Sequence, residues 1–132
     1  MEWTVNYFEQ ENAIQPAEVF EDKLYQANHK FLGKLLYVHD QLKDRGYKLG
    51  GGYVEKCHDY QGLWEIRIIH SNRLVREFFG FDEARIVLLH GYVKSVGRPA
   101  SKRELDIAYR YWNEYLKTRL VSPIQENDNE ST

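Results

Sequence analysis

The hydrophobic positions in the first third of the chain change from a two-residue period to a helical one. Residues 2–8 alternate apolar and polar side chains, which predicts a short β-strand. After a break at residues 11–16, apolar positions recur every three or four residues over 17–28 and again from Phe31 to Leu42. This spacing predicts two amphipathic helices, or one helix with a kink. Gly46 marks the expected end of the helical region.

The remainder of the chain has strand character up to residue 94 and helical character after it. Strands are predicted at 53–58, 63–69, 73–81 and 85–94, and Ser101 and Glu104 form a capping box at the start of a last helix. The order predicts an α+β fold, a two-layer domain with the N-terminal helices packed on a mostly antiparallel sheet and with a C-terminal helix. The domain is expected to span residues 1–120, and residues 121–132 are expected to form an acidic, disordered tail.

Strand pairing predicts which side chains share a face of the sheet. If Ser71 and Asn72 form a two-residue hairpin turn, Arg67 lies opposite Arg76 on one face. The other face is largely apolar and suits the helices, except at Glu77, for which the pattern offers no explanation. Like charges directly opposed cost stability, so either a nearby carboxylate such as that of Glu65 or a bound phosphate should compensate the two arginines.

The next hairpin has an ambiguous loop, and polarity favours one of two registers. This register places Val87, Leu89 and Val93 on the core face. It also gathers several polar side chains on one open surface with a loop arginine beside it: Arg67, Arg76, His90, Tyr92, Lys94 and Arg98. Arg73 and Lys56 are further candidates for substrate binding.

These residue types suit a ribonuclease site that uses no metal. The RNA 2′-OH would attack its own phosphate, cations would stabilise the added negative charge, and an acid would protonate the leaving 5′-oxygen. The alternative is a solvated sheet face with a few salt bridges. The distribution of charge is compatible with either interpretation, since the net charge of −2 combines −3 over residues 1–45, +4 over 46–120 and −3 over 121–132.

Other features limit the class of protein. The first ten residues lack a basic stretch followed by an apolar one, so no signal peptide is expected, and no apolar run reaches the ~18 residues of a membrane span. The one cysteine, Cys57, forms no internal disulfide and has no metal-binding cysteines around it. These features favour a cytoplasmic location with neither a metal nor another cofactor.

Four sequence segments resemble the phage-derived branch of the RelE/HigB-like toxins of type II toxin–antitoxin systems. They are Leu63-Trp64-Glu65-Ile66-Arg67, Arg76-Glu77-Phe78-Phe79, the run from Ile86 to Lys94, and a proline followed by a helix that contains Glu104. Their order and spacing match the family over residues 16–118.

The resemblance implies a RelE-like fold, cleavage of mRNA on the ribosome, and neutralisation by a helix-turn-helix antitoxin of the HigA type. Carried over by position, it implies catalytic roles for Arg67, Arg76 and Lys94. Ser95 stands where the family has a second lysine, a charge for which Arg98 could substitute. A catalytically degenerate RelE-fold protein that binds an antitoxin or RNA is therefore the alternative.

Overall fold

The sheet has five strands in the order β1-β5-β4-β3-β2, and the pairings are antiparallel except between β1 and β5. A computed structural model describes the backbone of residues 2–50 and 52–130, and side chains as far as residue 119. The strands are β1 (Thr4–Tyr7), β2 (Val54–Lys56), β3 (Trp64–His70), β4 (Arg73–Asp82) and β5 (Arg85–Ser95). The predicted α+β fold is confirmed.

Two helices cover one face of this sheet. They are α1 (Pro16–Ala27) and α2 (His29–Arg45), and Asn28 separates them because its extended backbone ends α1 while its side chain accepts a hydrogen bond of 2.9 Å from the Lys30 N–H at the start of α2. Gly46 ends α2 as predicted, with a positive φ of 55° and with the Trp3 ring against its Cα. A side chain there would clash with this ring.

The hairpin between β3 and β4 has the predicted register. Arg67 pairs with Arg76, and both turn residues have positive φ values, 49° at Ser71 and 66° at Asn72. Asparagine tolerates this region well, and two such residues in succession form the type I′ turn that suits the twist of a hairpin. The apolar face of the hairpin packs on α1 and α2.

The predicted register of β4 and β5 is correct over one half of the hairpin and wrong over the other. A β-bulge shifts the pairing by one residue between Phe78 and Phe79. Val87 and Leu89, which were expected on the core face toward α1 and α2, consequently belong to a second core on the opposite face, whereas Val93 packs against the first core as expected. The prediction failed because it used one register for the whole hairpin.

The C-terminal helix α3 (Lys102–Glu130) forms that second core by packing on β4 and β5. Trp112 and Ala108 bury their side chains there against Phe78 and Leu63. The predicted capping interaction is present, since the Ser101 hydroxyl accepts a 3.5 Å hydrogen bond from the Glu104 N–H. An acidic tail was predicted over residues 121–132. The side chains of these residues, and the backbone of residues 131–132, lie outside the part of the chain that the structure describes, so the tail stays a prediction.

Glu77, the one polar residue predicted on the apolar face of the first hairpin, has a partner in α2. Glu77 is fully buried, and its carboxylate lies 2.7 Å from Nε2 of His39, which is itself 4% exposed. The imidazole of His39 is buried because Glu77 supplies a polar partner for it, and the helical pattern of α2 alone does not reveal this partner. Within the described residues, no helix is long and apolar enough to cross a membrane.

Candidate functional site

Three rows of side chains cross strands β3, β4 and β5 on the face that lies opposite α1 and α2, here called the arginine face. The rows are Glu65–Phe78–His90, Arg67–Arg76–Tyr92 and Ile69–Leu74–Lys94. The structure therefore brings the expected catalytic residues Arg67, Arg76 and Lys94 onto one face of the sheet. It also places His90 and Tyr92 there, as the polarity of β5 predicted.

The two opposed arginines are each neutralised by a carboxylate of the protein. Nη1 of Arg67 donates a 2.8 Å hydrogen bond to Glu55 on β2, and Nη1 of Arg76 lies 2.7 Å from both carboxylate oxygens of Glu65 on β3. The carboxylate compensation that the sequence left open is therefore present, with Glu65 on Arg76. Glu55 is the residue that sequence reasoning missed.

Arg76 does not lie on an open surface, which corrects the expectation for this residue. Its relative exposure is 6%, and Nη2 donates a 3.2 Å hydrogen bond to the carbonyl oxygen of Arg98. Arg67, by contrast, has a side chain that is 36% exposed. Arg76 thus links β3, β4 and the loop after β5, and its guanidinium acts on that loop rather than pointing to solvent.

The loop after β5 is held against the arginine face at three points. The hydrogen bond from Arg76 is the first, and the Tyr92 hydroxyl provides the second because it accepts a 2.8 Å bond from the Ser101 N–H. The third is a backbone bond of 3.1 Å from Val96 N–H to the Asn72 carbonyl. Burial raises the pKa of Tyr92, so the hydroxyl stays neutral and is committed to the loop.

A basic cleft of about 390 Å³ opens where this loop meets the ends of β4 and β5. Arg73, Lys94 and Arg98 line it, together with Val93 and Ser95. All three basic side chains are exposed, and among the described residues no carboxylate forms an ion pair with them. A cluster of three uncompensated cations attracts an anionic ligand such as a phosphate group.

His90 occupies the other end of the arginine face. Its Nε2 lies 2.6 Å from the Glu104 carboxylate on α3, and its ring stacks on Phe78 with 6.3 Å between centroids. The ring also faces a cleft between α1, β5 and α3 that includes Tyr92 and Tyr111. Glu104 was seen in the sequence as a capping residue, but its contact with His90 was not predictable from that motif.

Lys56 does not belong to this group. It pairs with Trp64, and its ammonium lies 5.5 Å from the centre of the Trp64 ring, on the opposite side of the sheet from Arg67. The expectation that Lys56 binds substrate together with the arginines is therefore not supported by its position. The alternation of side chains along β2 directs Glu55 toward the arginine face instead.

The comparison with known protein families decides the affiliation of the chain. The sequence profile of the family described as "Phage derived protein Gp49-like (DUF891)" matches residues 22–113. The chain belongs to the Gp49-like family. This Gp49-like family is associated with toxins of toxin–antitoxin systems, and the matched range includes the whole arginine face and Glu104. A search among curated proteins gave no match.

Proposed function

We propose that this Gp49-like protein is the toxin of a type II toxin–antitoxin system and that it cleaves mRNA on the ribosome, in the cytoplasm, as a metal-independent endoribonuclease. The observation that carries the proposal is the basic cleft of Arg73, Lys94 and Arg98 beside a face of fixed polar side chains. Membership of a toxin-associated family supports the same function.

The cleft fits the charge that develops when RNA is cut by its own 2′-OH. The 2′-oxygen bonds to the adjacent phosphorus and gives up its proton to solvent water, the bond from phosphorus to the 5′-oxygen breaks, and the leaving oxygen takes up a proton. The products are a 2′,3′-cyclic phosphate and a 5′-hydroxyl. Lys94 and Arg98 would stabilise the extra charge on the phosphate oxygens, and the Lys94 ammonium could protonate the leaving oxygen.

The spacing along β5 assigns His90 a different role from that of Lys94. Four residues of a strand separate them, about 13 Å between Cα atoms at the usual rise of a strand. One phosphate held by Lys94 is therefore out of reach for the His90 ring, which Glu104 and Phe78 also hold in place. We assign His90 and Tyr92 to contacts with a neighbouring nucleotide and Arg67 to the flanking phosphate.

A non-catalytic binding protein with the same fold is the second candidate, and two observations favour it. The charges of Arg67 and Arg76 are already matched by Glu55 and Glu65, so these arginines are less available to a transition state than a bare pair would be. Ser95 in place of the second family lysine removes a further cation.

Cleavage assays with substitutions in the cleft distinguish the two functions. We expect Lys94→Gln and Arg98→Gln each to slow cleavage by about 10²–10³-fold, the usual cost of losing one group that stabilises a developing oxyanion. Because both side chains are exposed, stability should stay within about 0.5 kcal/mol of wild type. Lys102→Gln is the matched control, since Lys102 is an exposed lysine on α3 that pairs with Asp106 outside the cleft.

The readout is the chemistry of the RNA ends, with naked mRNA compared with mRNA in a translating extract. New 5′-hydroxyl and 2′,3′-cyclic phosphate ends that depend on Lys94 and Arg98 support the nuclease, and cuts restricted to the translating extract support the ribosomal site. RNA or antitoxin binding by a wild-type chain that produces no cuts would replace the nuclease with the binding protein.

We propose the same surface as the contact for the partner. An antitoxin that inhibits by covering the basic cleft should present acidic side chains to Arg73, Lys94 and Arg98, and a helix-turn-helix protein encoded next to this chain is the expected partner. Co-expression should give a complex that weakens in high salt and with the Arg98→Gln variant. Independent purification of the two proteins without association would contradict this partner.

A further inference from the structure

Four polar side chains meet inside the layer between the sheet and the N-terminal helices, on the opposite side of the sheet from the arginine face. Tyr7 comes from β1, Glu21 from α1, His39 from α2 and Glu77 from β4. We refer to them as the buried cluster. Glu21, His39 and Glu77 are each no more than 6% exposed, so water cannot satisfy their polar groups.

The contacts within the buried cluster centre on Nε2 of His39. This atom lies 2.7 Å from Oε1 of Glu77 and 3.8 Å from Oε2 of Glu21. Tyr7 donates a hydrogen bond of 2.5 Å to the other oxygen of Glu21. One ligand atom each from Glu21, His39 and Glu77 can be chosen so that all three lie within 4.8 Å of one another.

Two carboxylate oxygens in the buried cluster receive no hydrogen bond from a donor group among the described residues. They are Oε2 of Glu21 and Oε2 of Glu77. A buried carboxylate oxygen without a partner is costly, and a single imidazolium can balance only one of two carboxylates.

We propose that the buried cluster is a binding site for one divalent transition-metal ion of the Zn²⁺ class. His39 would bind through Nε2, Glu21 through Oε2 and Glu77 through one or both of its carboxylate oxygens. A dication and a neutral imidazole balance the two carboxylates and give both unpartnered oxygens a ligand role. Tyr7 would then be an orienting partner, because its hydrogen bond turns Oε2 of Glu21 toward His39.

The separations suit an ion of this class. Ligand atoms about 2.0–2.2 Å from a tetrahedral Zn²⁺ lie roughly 3.4 Å from one another, so distances of 2.7 and 3.8 Å require movements of under about 1 Å. Mg²⁺ is a poor candidate because it usually retains several waters, for which a site among buried side chains offers no space. The ion would be structural, since it would join β1, α1, α2 and β4.

Metal uptake by the full chain tests the site. The protein is treated with chelator, transferred to chelator-free buffer at pH 7.5 and titrated with ZnCl₂, with CoCl₂ as a spectroscopic probe. We expect one tightly bound equivalent, a rise in the thermal unfolding midpoint, and visible Co²⁺ absorption typical of low coordination. MgCl₂ should produce none of these changes. Tyr7→Phe should weaken Zn²⁺ binding by about 10–100-fold, the usual effect of losing an orienting partner.

Substitution of the ligands separates this site from surface histidines. Glu21→Gln and His39→Gln should lose the bound equivalent, whereas Glu18→Gln and His29→Gln, exposed positions on the same two helices, should keep it. Glu21→Gln should fold in chelator because the amide keeps the shape of the carboxyl group and removes its buried charge. A wild-type chain with no tight equivalent of Zn²⁺, or retention of that equivalent by Glu21→Gln, overturns the proposal.

Discussion

Replacement of Arg76 by methionine separates two opposing effects on stability. The substitution relieves the like-charge contact with Arg67, which is worth at most about 1 kcal/mol in a cross-strand pair. It also leaves the Glu65 carboxylate buried without its cation, since the side chains of Arg76 and Glu65 are 7% and 9% exposed. Breaking a buried pair by removing one partner costs about 3–5 kcal/mol, so the loss should dominate.

The sign of the change in unfolding free energy caused by Arg76→Met shows whether the Arg76–Glu65 pair is buried or exposed. We expect Arg76→Met to lower the free energy of unfolding by about 2–4 kcal/mol in urea titrations followed by circular dichroism. Arg67→Met is the matched control: its pair with Glu55 is exposed, and such pairs contribute about 0–1 kcal/mol. The double variant Arg76→Met/Glu65→Leu should recover most of the loss because no buried charge remains.

A neutral or stabilising Arg76→Met would refute this reasoning, and so would a double variant that is no more stable than Arg76→Met. Either result would mean that Glu65 does not depend on the guanidinium. Activity has to be measured on folded protein, since a loss of 2–4 kcal/mol is a large part of the 5–15 kcal/mol typical of a domain. In the proposed nuclease, Arg76 would act on cleavage by positioning the loop that carries Arg98.

Two further predictions test the charge distribution and the thiol. If RNA is bound through Arg73, Lys94 and Arg98 and, as proposed, through Arg67, the logarithm of the binding constant for single-stranded RNA should fall against the logarithm of the salt concentration with a slope of about −3, because each neutralised phosphate contributes about −0.7. A slope of about −2 or shallower would show that Arg67 binds no phosphate. Burial raises the pKa of Cys57 to about 12, so the thiolate fraction is small at pH 8 and increases with pH. Iodoacetamide should therefore alkylate Cys57 far more slowly in native protein than it alkylates a free cysteine, and at the ordinary rate in urea. Fast alkylation of native protein would contradict this environment.

The first hairpin and its arginine pair were predictable from the sequence because local signals coincide there. Ser71 and Asn72 mark a two-residue turn, and a turn of that length leaves a single register for Arg67 and Arg76. The second hairpin lacks such a signal. Residues 86–89 are all apolar, so a shift of one residue changes no polarity, and the bulge that redirects Val87 and Leu89 was invisible.

The burial of the charged groups was not predictable because each depends on an element distant in sequence. Glu65 was one of the compensations that the sequence left open for Arg76, but the cover by the loop at Arg98 does not follow from alternation along β4. His39 and Glu77 are 38 residues apart. Taken alone, His39 has the pattern of a surface residue, and Glu77 is a charged residue on an otherwise apolar face. Only the packing of α2 on the sheet makes them partners.

The centre of β4 places adjacent charged residues on opposite sides of the sheet. Arg76 points toward the loop that carries the basic cleft, and Glu77 points toward the helices and the buried cluster. Because consecutive strand residues face opposite sides, a substitution at one position changes the surroundings of the other mainly through the backbone. The two sites can therefore be tested by separate mutations. Substitution of Glu77 tests the metal site and leaves the cations of the cleft in place. Substitution of Lys94 or Arg98 tests cleavage and leaves the ligands of the buried cluster in place. Independent experiments can therefore support or refute the proposed nuclease and the proposed metal site separately.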